Sequence, residues 1–278
     1  MVSRKFVEIV KQDSDLLSVN LNVENITGAN CIAACESVKA ADPDGYTLLF
    51  VTANLSTIPW STDRDDLNYA DSFKAVISFS TEPLLLTIRV DDERFSDFES
   101  FVAYAQEHPG EVTIAGGGTT ESVVVESMAN EIGIDLDLVM YDGGSEMAAA
   151  LAGGHIDAMF GSPSDVISYV EAGQLANIAV ISDERYEEDF PDVPTPSEFG
   201  YDVVSADQWR GLVVPKDTPD DIVEELYEIF YNITQTDEFA EFLELNCMTP
   251  SYMNPEEFDA FLLEQDELYK EYFSSLEE

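Results

Sequence analysis

The 278-residue chain carries 57 Asp and Glu residues against 12 Lys and Arg residues, which gives a formal net charge of −45. This balance argues against DNA, RNA and anionic membranes as partners, because all three are bound through basic patches. It does not indicate disorder, since disordered acidic chains are poor in apolar and aromatic residues, whereas 45% of this chain is apolar and 11% is aromatic.

A surface with so many carboxylates repels itself, and the repulsion is tolerable where salt screens it. The Debye length falls to about 3 Å at 1 M salt. We therefore predict a folded protein adapted to a salt-rich environment. An acidic protein with a basic partner is the alternative interpretation.

Helical and strand-like patterns alternate along the chain. The first half predicts, in order, a helix over 31–41, strands over Tyr46–Thr52, Phe73–Ser80 and Leu84–Val90, a helix over Ser96–Glu107, a strand over Val112–Ala115, a helix over Ser122–Ile132 and a strand over Leu136–Tyr141. The second half predicts a helix over Ser145–Ala152, a strand over Ile156–Phe160, a helix over Asp165–Ala172, strands over Ile178–Ile181 and Arg210–Val214, and helices over Asp220–Ile233, Asp237–Glu244 and Pro255–Tyr272. Such alternation, with continuous apolar strands, is typical of parallel α/β architecture. Two such units followed by a helical tail indicate two lobes.

A glycine-rich turn, Gly116-Gly117-Gly118-Thr119-Thr120, joins a predicted strand to a predicted helix. Glycines let the backbone approach a ligand, and the helix N-terminus offers unpaired N–H groups to an anion. The turn lacks the lysine of a P-loop. Taken alone, the turn is consistent with a loop that binds a ligand and with an ordinary connecting loop.

Three further turns have the same character: Thr27–Asn30, Thr52–Asn54 and Tyr141–Ser145. In open α/β sheets ligands bind at the carboxyl ends of strands, where these turns are expected. In a chain with so few cations, they indicate anion binding through backbone dipoles. Arg210, which follows Trp209, is the one cation near the expected lobe boundary. It has two possible roles: to bind the ligand, or to form an ion pair at the surface.

Catalytic and metal-binding patterns are nearly absent from the sequence. Both histidines, His108 and His155, fall in turns and are interpreted as structural. There is no nucleophile elbow and no zinc signature. Cys31, Cys35 and Cys247 are too few for a disulfide framework and are interpreted as small buried residues. No stretch reaches the ~20 apolar residues of a membrane span, and the first ten residues lack the apolar core of a signal peptide.

Several strings, taken together and in order, resemble one known family. They are Val23–Asn25 with Thr27–Ala29, Asp42–Leu49, Pro109–Val112 leading into the glycine-rich turn, Tyr141–Gly144, Leu151–Phe160, Glu171–Leu175, Pro191–Thr195 and Trp209–Pro215. The family is that of the substrate-binding proteins of tripartite tricarboxylate transporters, known as Bug or TctC-like proteins. The Pro-Asp-Gly-Tyr-Thr and Pro-Asp-Val-Pro-Thr strings are the most specific part of the match.

The resemblance implies an α/β type II periplasmic-binding-protein fold. Two lobes would be joined by crossing strands near Val112–Ala115 and Arg210–Val214, with a C-terminal helical tail that returns to the first lobe. Lobe one would comprise residues 1–111 and 215–278, and lobe two residues 112–214.

The resemblance also implies a function. The chain would be an extracytoplasmic, monomeric protein that captures a small organic carboxylate in an interlobe cleft and delivers it to a membrane permease, with no cofactor, no metal and no catalysis. The residues carried over to the ligand site are Gly28, Ala29, Asn30, Thr52 and Ala53 in lobe one, and Gly118, Thr119, Thr120, Tyr141, Gly143, Gly144 and Asp157 in lobe two. Two alternatives stay open: a sensory protein that presents its ligand to a membrane histidine kinase, and an enzyme that handles an acyl or phosphoryl group at the glycine-rich turn.

Two departures from the family pattern stand out. Family members begin with a strand and a glycine-rich loop ahead of the first helix, whereas this chain starts within the expected helix; we interpret this as a start codon assigned too late rather than as a degenerate protein. Asp142 occupies a position where the family often has a cation, which argues against a multiply charged anion as ligand.

Overall fold

The structure, a computed structural model, describes residues 2–12, 20–26, 31–62, 64–141, 143–182, 185–187, 190–205, 207–246 and 248–275. Its internal contacts divide the chain into unit one, Met1–Thr81 with Trp209–Glu278, and unit two, Glu82–Gln208. The chain therefore passes between the units twice. Glu82 and Gln208, at these passages, exchange two backbone hydrogen bonds of 3.2 and 2.7 Å, so the two segments run as a bonded pair.

The elements alternate along the chain much as the sequence predicts. The helices are α1 Val2–Gln12, α2 Ile32–Lys39, α3 Asn54–Ser61, α4 Tyr69–Ser72, α5 Phe98–Glu107, α6 Thr119–Ile132, α7 Gly144–Ala152, α8 Pro163–Glu171, α9 Asp220–Thr234, α10 Asp237–Leu245 and α11 Pro255–Ser275. The strands are β1 Leu49–Thr52, β2 Phe73–Thr81, β3 Leu85–Arg89, β4 Val112–Gly116, β5 Leu136–Met140, β6 Ala158–Gly161, β7 Leu175–Val180, β8 Arg210–Pro215 and β9 Thr249–Met253.

Unit one contains a four-stranded sheet in the order β1-β8-β2-β9, in which every pair is antiparallel. Both faces of the sheet are covered. Alternate side chains of β8 pack into two hydrophobic cores on opposite faces of the sheet: Leu212 and Val214 into the first, and Val213 into the second. The first core includes helix α1, whose Phe6 packs within 5.1–5.5 Å of three other aromatic rings. Helix α1 thus belongs to the core of unit one.

The long C-terminal helix α11 is fixed to unit one by rings and carboxylates. Phe258 packs where Gly211 in β8 has no side chain: a methyl group there would lie 2.4 Å from its ring. Asp259 accepts a hydrogen bond of 2.5 Å from the Tyr69 hydroxyl, and Asp266 accepts one of 3.1 Å from the Trp60 indole. The tail therefore belongs to the first unit, as the resemblance to the family implies.

Unit two contains a five-stranded mixed sheet in the order β5-β4-β6-β3-β7. Strands β4, β5 and β6 are parallel, whereas β3 is antiparallel to both β6 and β7. One core lies on each face of the sheet. Among the described residues, no helix is both long enough and apolar enough to cross a membrane.

Some expectations differ from the structure. Parallel sheets were predicted, but the sheet of unit one is antiparallel and that of unit two is mixed. The prediction was wrong because a continuous apolar strand indicates burial on both faces of the sheet and does not indicate strand direction. The tail is not all-helical: β9, a strand with Pro250 in it, pairs with β2 at the sheet edge, where proline is tolerated. Helix α3 was not predicted, since its Asn, Ser, Thr and Pro residues read as a loop.

The division into units also differs from the expected one. Residues 82–111 lie in the second unit rather than the first, because β3 hydrogen-bonds to β6 and β7. Residues 209–214 lie in the first unit, because β8 is the strand between β1 and β2. Strand β4 is therefore internal to unit two, and the chain crosses at Thr81–Glu82 and Gln208–Trp209 instead.

Candidate functional site

Three helices of unit two begin at the same edge of its sheet. Strands β4, β5 and β6 are parallel and adjacent, and each is separated from the helix that follows it by at most three residues. The first turns of α6, α7 and α8 therefore lie at the carboxyl ends of these strands. Helix N-termini present unpaired N–H groups and a positive dipole end, both of which attract anions. We call the residues at this edge the unit-two cluster: Gly116–Thr120, Tyr141, Gly143 and Gly144.

The glycine-rich turn ends in the first turn of α6. Gly118 is the N-cap of the helix, in extended conformation, and Thr119 and Thr120 are its first two residues. Thr120 is 2% exposed, and its Oγ1 has no hydrogen-bond partner among the described residues. A buried hydroxyl left unpaired costs roughly 1–3 kcal/mol. Thr120 thus offers hydrogen-bonding capacity that the packing of the chain does not use.

The second predicted turn of unit two lies directly beside the first. The N–H of Tyr141 donates to the carbonyl of Gly116 at 3.0 Å, and Gly143 is the N-cap of α7. Gly144 packs against Asp165, whose carboxyl atoms would lie 2.0–2.2 Å from a methyl group at that position. The structure therefore brings Gly118, Thr119, Thr120, Tyr141, Gly143 and Gly144 to one edge of unit two.

Two carboxylates that the sequence analysis did not select, Glu121 and Asp165, lie beside the unit-two cluster. Burial raises the pKa of Glu121 and the nearby Asp165 adds to the rise, while hydrogen bonds from the N–H groups of Gly118 and of Glu121 itself partly oppose it. Asp165 accepts the N–H of Ser162 at 3.2 Å at the start of α8. The sequence does carry a signal for Glu121, because it follows the glycine run by three residues in the first turn of a helix.

Unit one has a comparable set of groups at one end of three adjacent strands of its sheet, β1, β8 and β2. Thr52 of β1 and Ser80 of β2 both pair with Arg210 of β8, so the three residues form a row across the sheet. Helix α3 follows this row directly: the buried Ala53 is its N-cap, and its first turn contains Ser56. We call these residues the unit-one cluster: Thr52, Ala53, Ser56, Ser80 and Arg210.

Ser56 and Ser80 repeat in unit one the property of Thr120. Both side chains are fully buried, and neither hydroxyl has a hydrogen-bond partner among the described residues. The sequence analysis missed both serines, since a serine in an apolar strand or in an unrecognised helix gives no signal of its own. Thr52 and Ala53 lie in the cluster, whereas the predicted residues Gly28, Ala29 and Asn30 lie outside the described part of the chain.

Asp157 lies at the other end of the unit-two sheet. Its carboxylate accepts hydrogen bonds from the N–H and hydroxyl of Thr113, at 2.9 and 2.8 Å, and an ion pair from Arg94. Thr113 precedes Gly116 by three residues of extended strand, roughly 10 Å. Burial favours a higher pKa for Asp157, but the hydrogen bonds from Arg94 and Thr113 outweigh it and leave the pKa below its usual value. Asp157 is therefore part of an ion network with Arg94 and Thr113. It lies away from the other predicted site residues of unit two, so its prediction as a ligand-binding residue is wrong.

Other reactive residues are held in structural contacts. The ring of His108 stacks on Tyr104 with centroids 4.2 Å apart, and burial raises the pKa of the Cys35 thiol to about 11, which disfavours the nucleophilic thiolate. Cys31, by contrast, is exposed rather than buried. Within the described ranges, no group of three or more His, Cys, Asp or Glu side chains is arranged to hold a metal ion.

Two α/β units that are linked by paired crossing segments and carry polar groups at their strand ends define the type II periplasmic-binding-protein fold. A sequence model of the family described as "Tripartite tricarboxylate transporter family receptor", TctC, matches residues 7–274. The chain belongs to this family of periplasmic solute-binding proteins. The expected resemblance and the expected fold are both confirmed.

Individual relatives agree with the family assignment. A UPF0065 protein encoded in the gbd 5′ region of Cupriavidus necator is 30% identical over 258 residues, which cover 90% of this chain and 76% of the relative. The crystal structure of a TctC solute-binding protein from Polaromonas is 26% identical and superposes with a TM-score of 0.77 over 98% of this chain and 92% of that one. Rpa4515 of R. palustris, solved with adipate, is 22% identical and has the same fold, with a TM-score of 0.82 over 98% of this chain and 90% of that one.

Proposed function

We propose that the chain is an extracytoplasmic solute-binding protein that captures a small organic carboxylate through both clusters. It would deliver this ligand to a membrane permease, act as a monomer and catalyse no reaction. The observation that carries the proposal is a set of three buried hydroxyls that have no hydrogen-bond partner among the described residues: Thr120 in unit two, and Ser56 and Ser80 in unit one.

The chemistry of the two clusters suits a carboxylate. Hydroxyls and helix N-terminal N–H groups are the donors that hold carboxylates in proteins poor in cations. Family membership supports a transport role, and the relative solved with adipate supports a carboxylic acid as the ligand. The ligand-contacting residues proposed are Thr52, Ala53, Ser56, Ser80, Gly118, Thr119, Thr120, Tyr141, Gly143 and Gly144, with Gly28, Ala29 and Asn30 still predicted to join them.

Thermal unfolding of the full chain at molar salt, with a panel of mono-, di- and tricarboxylates and amino acids, tests the proposal. A ligand that binds only the folded state raises the free energy of unfolding by about 2.7 kcal/mol at a hundredfold excess over its Kd. We expect at least one carboxylate to raise the midpoint, and calorimetry to give one site per chain. A panel in which no acid moves the midpoint would contradict the proposal.

Delivery to a permease needs a separate test. The ligand-loaded chain should support uptake of radiolabelled ligand into vesicles that contain the permease, and the ligand-free chain should not. Uptake at an equal rate without the chain would contradict the transport role while leaving ligand binding intact.

A further inference from the structure

Helix α1 is a positively charged element in a strongly acidic chain. It spans Val2–Gln12 and contains three cations, Arg4, Lys5 and Lys11, and one acid, Glu8. Its net charge is therefore +2, in a chain whose net charge is −45. Among the described helices, α1 is the only one with a positive net charge. An acidic partner is thus repelled by most of the chain and attracted at α1.

Two of these cations have no ionic partner, although acidic residues outnumber basic ones by 57 to 12. Lys5 pairs with Glu8 at 3.6 Å and with Glu238 at 2.6 Å. Arg4 and Lys11 are exposed, and their side chains form neither an ion pair nor a hydrogen bond with any described residue. By contrast, eight cations of the described chain each lie within 4.0 Å of a carboxylate oxygen: Lys5, Lys39, Arg64, Lys74, Arg89, Arg94, Arg185 and Lys270. The charges of Arg4 and Lys11 are therefore available to a partner.

Both free cations line one groove beside α1. The groove has a volume of about 450 Å³ and lies between residues 21–23 and four residues of the helix: Arg4, Val7, Glu8 and Lys11. These four are three or four positions apart, so they lie on one face of the helix. Val7, Leu21 and Val23 give the groove an aliphatic lining, and Val23 is 37% exposed. The groove thus combines two unpaired cations with an accessible apolar surface.

The membrane partner of the proposed function has the complementary charge. Lys and Arg are enriched in the cytoplasmic loops of membrane proteins, so the loops that meet an extracytoplasmic protein are comparatively poor in cations. In a salt-adapted system we expect these loops to be acidic, as this chain is. Because like charges repel, an acidic loop and this chain make a favourable contact at α1.

We propose that the groove beside α1 is the surface through which the chain docks on its permease, and that it takes an acidic extracytoplasmic loop of that partner. Carboxylates of the loop would pair with Arg4 and Lys11, and an aliphatic side chain between them would pack on Val7 and Val23. Arg4 and Lys11 are about 10 Å apart along the helix axis, which roughly three residues of extended chain span. This inference rests on the proposed delivery to a permease and assigns the surface that makes the contact.

Uptake into permease-containing vesicles tests the inference, with the concentration of ligand-loaded chain varied at molar salt. The variants Arg4→Glu and Lys11→Glu each replace an attractive contact by a repulsive one. We expect the concentration of chain that gives half-maximal uptake to rise about threefold or more in each, and at least about tenfold in the double variant. Ligand affinity measured by calorimetry should not change, because neither residue belongs to the unit-one or unit-two cluster.

Matched controls separate the groove from net charge and from general exposure. Lys216 is an exposed cation of unit one outside α1, so Lys216→Glu changes the net charge equally and should leave uptake unchanged. Val23→Ser should weaken docking, whereas Val90→Ser should not, since Val90 is 56% exposed and lies in unit two. Thermal unfolding verifies that each variant is folded. Arg4→Gln or Lys11→Gln, with a smaller rise expected, replaces a charge-reversal variant that is not.

Phosphatidylglycerol vesicles without permease distinguish a protein partner from an anionic lipid surface. The chain should not co-sediment with them. Co-sedimentation that is lost in Arg4→Glu would show that the groove takes lipid headgroups, and would overturn the inference. Groove variants that support uptake as efficiently as the wild-type chain would also overturn it, and both results leave ligand binding and transport standing. If the wild-type chain itself supports no uptake, the proposed delivery fails and the inference fails with it.

Discussion

Replacing Thr120 by valine tests whether the hydroxyl of this residue binds the ligand or has a structural role. Valine keeps the shape of threonine and replaces the Oγ1 by a methyl group. In the wild-type chain this oxygen is buried and has no partner among the described residues, so the change breaks no hydrogen bond that the structure contains.

The expected effects on stability and on affinity have opposite signs. Removing a buried, unpaired hydroxyl relieves a penalty of roughly 1–3 kcal/mol, so the free energy of unfolding without ligand should stay the same or rise. If the hydroxyl donates to a ligand carboxylate, its loss removes about 1.5–3 kcal/mol of binding, which corresponds to a roughly 10- to 150-fold higher Kd. Chemical denaturation gives the first quantity and calorimetry the second, both at molar salt.

Thr87→Val is the matched control in the same unit. Thr87 is equally buried, but its Oγ1 donates to the side-chain oxygen of Asn177 at 2.9 Å. The control should therefore lose about 0.5–1.5 kcal/mol of stability and keep its ligand affinity. If Thr120→Val instead destabilises the chain as much as the control and binds ligand normally, the hydroxyl is structural and the reasoning fails.

Three further changes test the fold and its charges. Asp157→Asn should lower the free energy of unfolding by about 1–3 kcal/mol in denaturation, because it weakens the ion network with Arg94, and should leave ligand affinity unchanged. Since the pKa of Asp157 is lowered in the folded chain, this stabilisation is present above the ordinary aspartate pKa of about 3.9 and is lost as the pH falls below it. Gly211→Ala should destabilise unit one by about 1–3 kcal/mol or more in thermal unfolding, because its methyl group would overlap the ring of Phe258. Circular dichroism should show a higher unfolding midpoint in molar than in millimolar salt, because salt screens the net charge of −45.

Each of these has a control or a contrary outcome. Asp137→Asn, on an exposed residue of β5, should leave stability unchanged, and Gly143→Ala should be tolerated because nothing lies within 4 Å of its added methyl group. If Asp157→Asn instead lowers the affinity for the ligand and leaves the free energy of unfolding unchanged, Asp157 is a ligand-binding residue. A midpoint that is independent of salt would contradict the predicted salt adaptation.

Local patterns predicted most of the elements and the location of one cluster. The alternation of apolar runs with helical periodicity places the strands of unit two, and the glycine run after β4 places the turn that starts α6. Helix α6 begins at Thr119 and not at Ser122, because the extended Gly118 serves as its N-cap and threonines are acceptable in a first turn. Such boundaries depend on backbone conformation, which composition does not report.

Long-range pairing is what the sequence did not reveal. The place of β8 between β1 and β2 puts Arg210 beside Thr52 and Ser80, and no spacing along the chain indicates this row. The same limitation applies to Glu121, which looks like one more acidic surface residue until Gly116 and Asp165 are brought beside it. For Asp157 a signal was present, since the residue lies at the start of its predicted strand, Ile156–Phe160, and so belongs to the amino end of the sheet.

The central claim is that backbone amides and hydroxyls of both clusters hold the ligand. Amide hydrogen exchange of the full chain, with and without a saturating acid from the thermal panel, measures this directly. We predict slower exchange at Gly117–Glu121 and at Ala53–Ser56, with little change at Asp157. A bound acid that leaves both segments exchanging at their ligand-free rates would contradict the account.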